Sequence, residues 1–337
     1  MSRPPSRRRM PRWLPQLPGY GLSIGCLVWV LHGYAIKGLP HEIHSLDWRW
    51  VSVGILADLA VYVVHGWRWN TLLAPVVRLR LWRTVQAIYI GLFANEVLPL
   101  RAGELIRWYL LAHWNDLRLS LSFASVAVER VIDGVWMLLA FLITAGFVRG
   151  IPRDLIILVQ VLGAIIVLSA GALVWIASTR RQFYAAGSES RWSSTLRHVT
   201  EGLQLMGNPR TLGLTSLISL LYLLLQVLVV YALMKSYGLD LSFWVAAGVL
   251  AIIRVATVVP NAPGNVGLMN VACVLALRLF DVETNDAKTF SFILLGAQSF
   301  PLLVGGAIAT ALTGSNIGEL HARARRGVRS NPRTPTL

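Results

Sequence analysis

The chain has 337 residues, of which 55% are hydrophobic and only 14% charged, with a mean hydropathy of +0.59. A soluble domain of that size needs more charge to cover its surface, so the composition excludes an ordinary soluble globular protein. Lysine and arginine outnumber aspartate and glutamate by 31 to 16, a formal charge of +15. That excess lies in short stretches beside apolar blocks, the positive-inside pattern of a membrane protein, which argues against a nucleic-acid partner.

A membrane span needs roughly 20 apolar residues to cross about 30 Å of hydrocarbon. The first apolar block is Gly19–Ala35, preceded by Arg3, Arg7, Arg8, Arg9 and Arg12. A basic segment before an apolar one is also how a signal peptide begins. No small-residue cleavage site follows, and more spans do, so the block reads as an uncleaved first span. The later blocks are Trp50–His65, Leu119–Val148, Leu155–Ala177, Leu212–Met234 and Phe290–Leu312. They are apolar on all sides, which selects helices over the alternating strands of a membrane barrel. The two cysteines, Cys26 and Cys273, fall inside apolar segments and form neither a disulfide framework nor a metal-binding spacing.

Parity fixes an expected topology. With the basic N-terminus in the cytoplasm, the first span exits near Lys37. The second returns near Trp67 into the basic stretch Arg68–Arg83. The arginine-rich tail (Arg323, Arg325, Arg326, Arg329, Arg333) and the basic loop Arg180–Arg210 also belong inside. The turn Arg149–Asp154 and the acidic loop Asp281–Asp286 then lie outside. Two apolar segments must start and end on one side. The first is Thr84–Leu98, broken at Pro99 and followed by Gly103–Trp114. The second is Phe243–Val259, broken at Pro260–Gly264 and followed by Val266–Phe280.

The expected fold is therefore an all-α integral membrane protein, with six full transmembrane helices plus two re-entrant helical hairpins as an inverted repeat. The alternative is eight plain spans with both proline breaks in loops. In domain terms, residues 1–18 form a basic cytoplasmic N-terminus. Residues 19–313 form one membrane domain with halves 19–150 and 151–313, and residues 314–337 form a basic cytoplasmic tail. Trp48, Trp50, Trp67, Trp69 and Trp82 fit anchors at the membrane interface.

The chemistry concentrates where the apolar pattern fails. Around the first break lie Asn95, Glu96, Pro99, Arg101, Gly103, Glu104 and Arg107. Ionisable groups at membrane depth are costly, so each needs a partner or a wet cavity. Glu104 and Arg107 are spaced to pair on one helix face, and Gly103 permits a close backbone approach. A helix starting near Ala102 presents free N–H groups to the break, a natural anion site. The next span carries Glu129, Arg130 and Asp133, which read as a buried ion-pair network facing the first hairpin. Those charges either hold the hairpin to the bundle or line a substrate path, and both can hold.

The second hairpin carries Arg254, then Pro260, Pro263, Gly264 and Gly267, then Asn270. Arg254 has no acidic neighbour in its own segment, so its expected partner is Glu129, Asp133, Glu104 or a lipid phosphate. Asp58, His65 and Gln226 read as interhelical hydrogen-bonding groups.

The combined pattern resembles the lysylphosphatidylglycerol synthase transmembrane-region family, whose members are also called flippase-like domain proteins. It comprises Asn95-x-x-x-Pro99-x-Arg101-x-Gly103-Glu104-x-x-Arg107, then Glu129-Arg130-x-x-Asp133, then Pro260-x-x-Pro263-Gly264-x-x-Gly267. The resemblance runs from about Leu22 to Leu312. It implies movement of a lipid or lipid-linked sugar across the cytoplasmic membrane. Arg101, Arg107 and Arg254 would take an anionic headgroup, no ATP-binding motif is present, and no cofactor or metal is expected. The family often has an acid shortly after the Pro-Gly motif, where this chain has Asn270, which puts ion coupling through that position in doubt. Synthase members add an aminoacyl-transferase domain. This chain ends at Leu337 after a short basic tail, so lipid aminoacylation is not expected. Two other readings stand beside carriage of a lipid. One is an accessory subunit partnered with a lipid-pathway enzyme. The other is a membrane enzyme acting on a lipid phosphate, with Glu129 or Asp133 as base.

Overall fold

The structure, a computed structural model, describes residues 17–34, 38–98, 102–115, 117, 119–146, 153–178, 203–204, 206–258 and 262–314. Pro99, Arg101 and Pro260, both basic termini and most of the Arg180–Arg210 loop lie outside the described residues. Among the described residues the regular structure is entirely helical. In chain order it comprises α1 (Leu17–Leu31), α2 (Leu39–His44), α3 (Trp48–Leu73), α4 (Leu81–Val97), α5 (Ala102–Trp114) and α6 (Leu119–Ala145). There follow α7 (Arg153–Ser178), α8 (Pro209–Ser236), α9 (Phe243–Ala256), a 3-10 turn (Pro263–Asn265), α10 (Leu268–Arg278) and α11 (Thr284–Thr313).

Local chemistry sets several boundaries. Asp47 caps α3 by accepting the Arg49 N–H at 3.0 Å. Asn208 caps α8 by accepting the Arg210 N–H at 3.1 Å, with Pro209 in the first helical position. The α4 chain leaves the helix at Leu98, whose extended backbone is what a residue before proline requires. The second break needs glycine, because Gly264 and Gly267 have φ of 70° and 86°.

α3, α8 and α11 are long and apolar enough to cross a membrane. Their outward faces, with those of α6 and α7, carry apolar side chains such as Leu56, Leu142, Leu168, Leu217 and Phe300. These are the surfaces of a multi-pass membrane protein. α4, α5, α9 and α10 have 17, 13, 14 and 11 residues. At about 1.5 Å per residue, none of the four is longer than about 26 Å. The helix pairs α4–α5 and α9–α10 each pack arm against arm.

The packing is reciprocal between the α1–α6 and α7–α11 segments. α3 lies along α8 at the centre. α4 packs on α3 as α9 packs on α8, and α5 packs on α6 as α10 packs on α11. The two segments also exchange elements: α4 packs on α11, and α9 packs on α6.

α3 corrects the expected second span. It runs to Leu73, past the expected exit at Trp67, and Arg68 is buried within it and not at an aqueous surface. Trp69 is likewise buried, whereas Trp48, Trp67 and Trp82 are exposed as interface anchors should be. Tight contacts between helices rest on small residues. A Cβ on Gly103 would lie 1.7 Å from the Gly91 carbonyl oxygen, so α4 and α5 touch backbone to backbone. Gly103→Ala is therefore expected to destabilise the protein by about 1–3 kcal/mol through overpacking. Gly213→Ala, where nothing lies within 4 Å, should leave the melting temperature of the detergent-solubilised protein unchanged or raised.

Candidate functional site

The charged residues of α6 are drawn inward by a residue outside the expected set. Arg68 of α3 lies between two carboxylates, with Nη2 donating to Glu129 and Nη1 to Asp133. Glu129 and Asp133 stand one helical turn apart, the spacing that lets one guanidinium bridge both. Arg68 Nη1 also reaches Ser219 Oγ of α8 at 3.3 Å, and the guanidinium lies 4.5 Å from the centre of the Tyr222 ring.

His65, one turn earlier on α3, joins α5 to the same group. Its Nε2 lies 2.8 Å from Glu129 Oε1 and 2.9 Å from Arg107 Nη1. Arg107 lies 3.1 Å from Glu104 and 3.8 Å from Glu129, and it stacks 4.8 Å from the Trp69 ring centre. Arg130 closes the group from its rim, 3.0 Å from Glu104. The set holds three guanidinium groups and three carboxylates drawn from α3, α5 and α6, so with neutral His65 its charges cancel.

Asn95, Gly103, Glu104, Arg107, Glu129, Arg130 and Asp133 thus share one region, at and beside the α4–α5 crossing. Asn95 does not face the charges. Its side-chain oxygen accepts the Gly103 N–H at 2.8 Å and so occupies one donor of the expected anion site at the start of α5.

The second break packs on the end of α4, on Glu96, beside Asn95. Gly264 faces Glu96 of α4, close enough that a Cβ there would lie 2.8 Å from the carboxylate. Ala262 donates its N–H to Ser23 Oγ of α1 at 2.8 Å, and Gly267 sits against the Ser23 carbonyl. Pro263 opens the 3-10 turn. Asn270 is fully buried, accepts the Gly267 N–H at 3.1 Å and donates to Ser291 at 3.1 Å. It caps α10 and closes the break.

Arg254 departs from expectation. Its partner is Gln226 of α8, which accepts from Nη2 at 2.5 Å. Among the described residues none of Glu104, Glu129 and Asp133 lies within ion-pair distance of it, because Arg68, Arg107 and Arg130 already take those acids. Arg254 instead lines a cavity of about 280 Å³ bounded by α6, α7, α8 and α9. Arg130, Asp133, Gln226 and Arg254 contribute polar wall, and Leu138, Phe141, Leu162 and Ile166 contribute apolar wall.

Sequence reasoning missed Arg68, and it gave His65 only a hydrogen-bonding role. A signal was present: Asp58, Tyr62, His65 and Trp69 recur at the spacing of one helical face, and all are buried. Arg68 adjoins that face.

The fold and this buried ionic cluster define a multi-pass helical membrane protein with polar groups gathered inside the bundle. A family model described as the lysylphosphatidylglycerol synthase TM region matches residues 16–306, and the chain belongs to that family. Relatives include a UPF0104 membrane protein of Methanothermobacter thermautotrophicus, 22% identical over 285 residues, which cover 77% of this chain and 81% of the relative. UPF0104 membrane protein MJ1078 of Methanocaldococcus jannaschii is 25% identical over 235 residues, covering 67% and 96%. A further UPF0104 membrane protein of M. thermautotrophicus is 21% identical over 305 residues, covering 83% and 90%.

Removing one partner of a buried ion pair leaves an uncompensated charge. Glu129→Ala is therefore expected to cost about 3–5 kcal/mol, and Arg130→Ala, at the exposed rim, about 1 kcal/mol or less. Denaturant titration of the purified protein measures both. Equal costs at the two positions would contradict this ordering.

Proposed function

We propose that this chain is a flippase-like carrier that moves an anionic phospholipid or lipid-linked sugar across the cytoplasmic membrane without hydrolysing ATP. One observation carries the reading: the α6–α9 cavity joins a cationic wall to an apolar one. That is the shape of an amphiphile site.

Charge accounting identifies the headgroup contact. The guanidinium groups of Arg68, Arg107 and Arg130 are matched by Glu129, Asp133 and Glu104. Arg254 has only the neutral Gln226 amide among these contacts. A guanidinium in that position takes a phosphate by two parallel hydrogen bonds. The apolar residues of α6 and α7 take the start of the acyl chains. Arg130, exposed at the cavity wall, gives a second positive contact along the path.

In this reading α1, α3, α6, α7, α8 and α11 are the full spans. The short pairs α4–α5 and α9–α10 are re-entrant hairpins of an inverted repeat, and both termini lie in the cytoplasm. The reciprocal packing and the short arms support it. Irregular backbone at membrane depth must be shielded by protein, and Ser23, Glu96 and Ser299 surround the second break. A cysteine at Ala262 is accordingly expected to resist membrane-impermeant thiol reagents from both faces. Ready labelling from either face would restore the eight-span alternative.

The carrier reading is tested in liposomes with headgroup-labelled phosphatidylglycerol. Wild-type protein should accelerate exchange between leaflets, and Arg254→Ala should slow it about tenfold or more, the loss expected for a charged hydrogen bond. Arg254→Lys should retain part of the rate, since it keeps the charge but not the bidentate geometry. Equal rates for protein-free and protein-containing liposomes would sink the reading.

A further inference from the structure

Asn270, beside the second break, has both its amide oxygen and its amide nitrogen engaged, by Gly267 and by Ser291. A buried acid elsewhere stands unsatisfied. Asp58 lies midway along α3, is 7% exposed, and its Oδ2 has no hydrogen-bond partner. A carboxylate left so inside a membrane helix is costly to keep ionised, and a proton removes that cost.

The surroundings of Asp58 define a role for that proton. Asp58 begins the buried stripe Asp58, Tyr62, His65 and Trp69 on α3, which places it about 15 Å along the helix axis from Arg68. The Tyr62 hydroxyl lies within hydrogen-bonding reach of the carboxylate, Tyr89 of α4 adjoins it, and Arg254 of α9 is the cation whose field reaches it. The Tyr62 and Tyr89 rings pack 4.7 Å apart. Tyr222 of α8 and Glu129 of α6 lie further along the stripe, at Arg68 and His65. The charges of α11 are engaged elsewhere, Asp286 with Tyr237 and Lys288 with the His32 carbonyl. Asp58 is thus separate from the closed cluster. α3 passes α8 with Arg68 beside Ser219, His65 beside Tyr222 and Gly54 beside Leu233, so Gln226, which holds Arg254, lies level with the Asp58–Tyr62 turn.

We infer that Asp58 is a proton-binding site that couples lipid carriage to a proton gradient, by competing with the lipid headgroup for Arg254. This rests on the carrier reading above. Ionised Asp58 holds Arg254 in its field. A proton neutralises the carboxylate and releases the guanidinium to a phosphate, so proton and lipid anion bind together. One proton with one singly charged lipid is electroneutral. A pH gradient therefore drives the movement, and a membrane potential does not.

The experiment uses the full chain in liposomes containing labelled phosphatidylglycerol, with either a pH gradient or a potassium–valinomycin potential imposed. For wild type, the pH gradient should change the net rate severalfold and the potential should leave it unchanged. Asp58→Asn should lose the response to the pH gradient, and Asp58→Glu should regain part of it. The elution profile in detergent establishes that each variant is folded. A pH response that persists in Asp58→Asn overturns the assignment of Asp58. Wild-type movement indifferent to the pH gradient overturns proton coupling but leaves the carrier reading standing. Movement driven by the potential alone overturns electroneutral coupling. Absence of movement under every condition removes the carrier reading and this inference with it.

Discussion

Arg68 is the charge on which the interior of this protein depends. A guanidinium inside a membrane span has no water to solvate it, so the chain must supply counter-charge at fixed distance and from the right side. α6 does so with two acids one turn apart, Glu129 and Asp133, which bracket Arg68 from two directions. That requirement fixes the rotation of α3 against α6. It also commits Glu129, which then draws in His65 and, through it, Arg107 of α5. The first hairpin is thereby held to the bundle by charge as well as by contact. The cluster tolerates burial because its three guanidinium groups are set against three carboxylates. A net charge within it would leave one member without a partner, at the cost that makes single buried ions rare.

The remaining interior is built on close approach. In lipid there is little hydrophobic gain from bringing two helices together, so contact area and backbone proximity carry the association. The reciprocal packing partners show the same device on both sides. Gly305 and Gly306 of α11 accept the Tyr89 and Phe93 rings of α4, and Gly248 of α9 accepts Thr144 of α6. Both contacts join the first arm of a helix pair to the last helix of the other segment. Thr144 also hydrogen-bonds the Trp244 carbonyl at 3.0 Å across that junction. The α4–α11 and α9–α6 contacts tie the α1–α6 and α7–α11 segments together around the central α3–α8 pair.

Much of this was legible in the sequence because it follows from local rules. Apolar block length located α6, α7, α8 and α11, and the proline breaks located the helix pairs. Glu104 with Arg107, and Glu129 with Asp133, were visible from helical spacing. Arg68 was not, because it stands between Trp67 and Trp69 at the end of an apolar run. That pattern describes an interface anchor equally well. What distinguishes the two is an acid pair more than 60 residues away, which no local pattern encodes. The acid expected beside Arg254 is absent for the same reason, and Gln226 stands there instead. Acids are a limited resource in this interior, and Arg68 had already taken the two nearest candidates. The roles of Pro99, Arg101 and Pro260 rest on sequence alone, since they lie outside the described residues.

The reciprocity of the two segments is incomplete, and the difference falls where the cavity lies. α1 packs on α10, so the counterpart arrangement would place α7 on α5. α7 instead packs chiefly on α6, where Gly134 meets Ile166. The space that α7 leaves beside α8 and α9 is the cavity holding Arg254 and Gln226. A bundle with every helix in its reciprocal place would have filled part of that space with side chains. Asymmetry also separates the two kinds of intramembrane polar group. Asn270 and the ionic cluster find their main partners within the bundle and hold it closed. Arg254 has a neutral amide where the cluster arginines have carboxylates, and Asp58 has a carboxylate oxygen without a hydrogen-bond partner. In a low-dielectric interior such groups are the ones free to exchange an internal partner for a proton or an anion. The cluster holds the bundle together, and in the proposed carrier it is Arg254 and Asp58 that supply the chemistry.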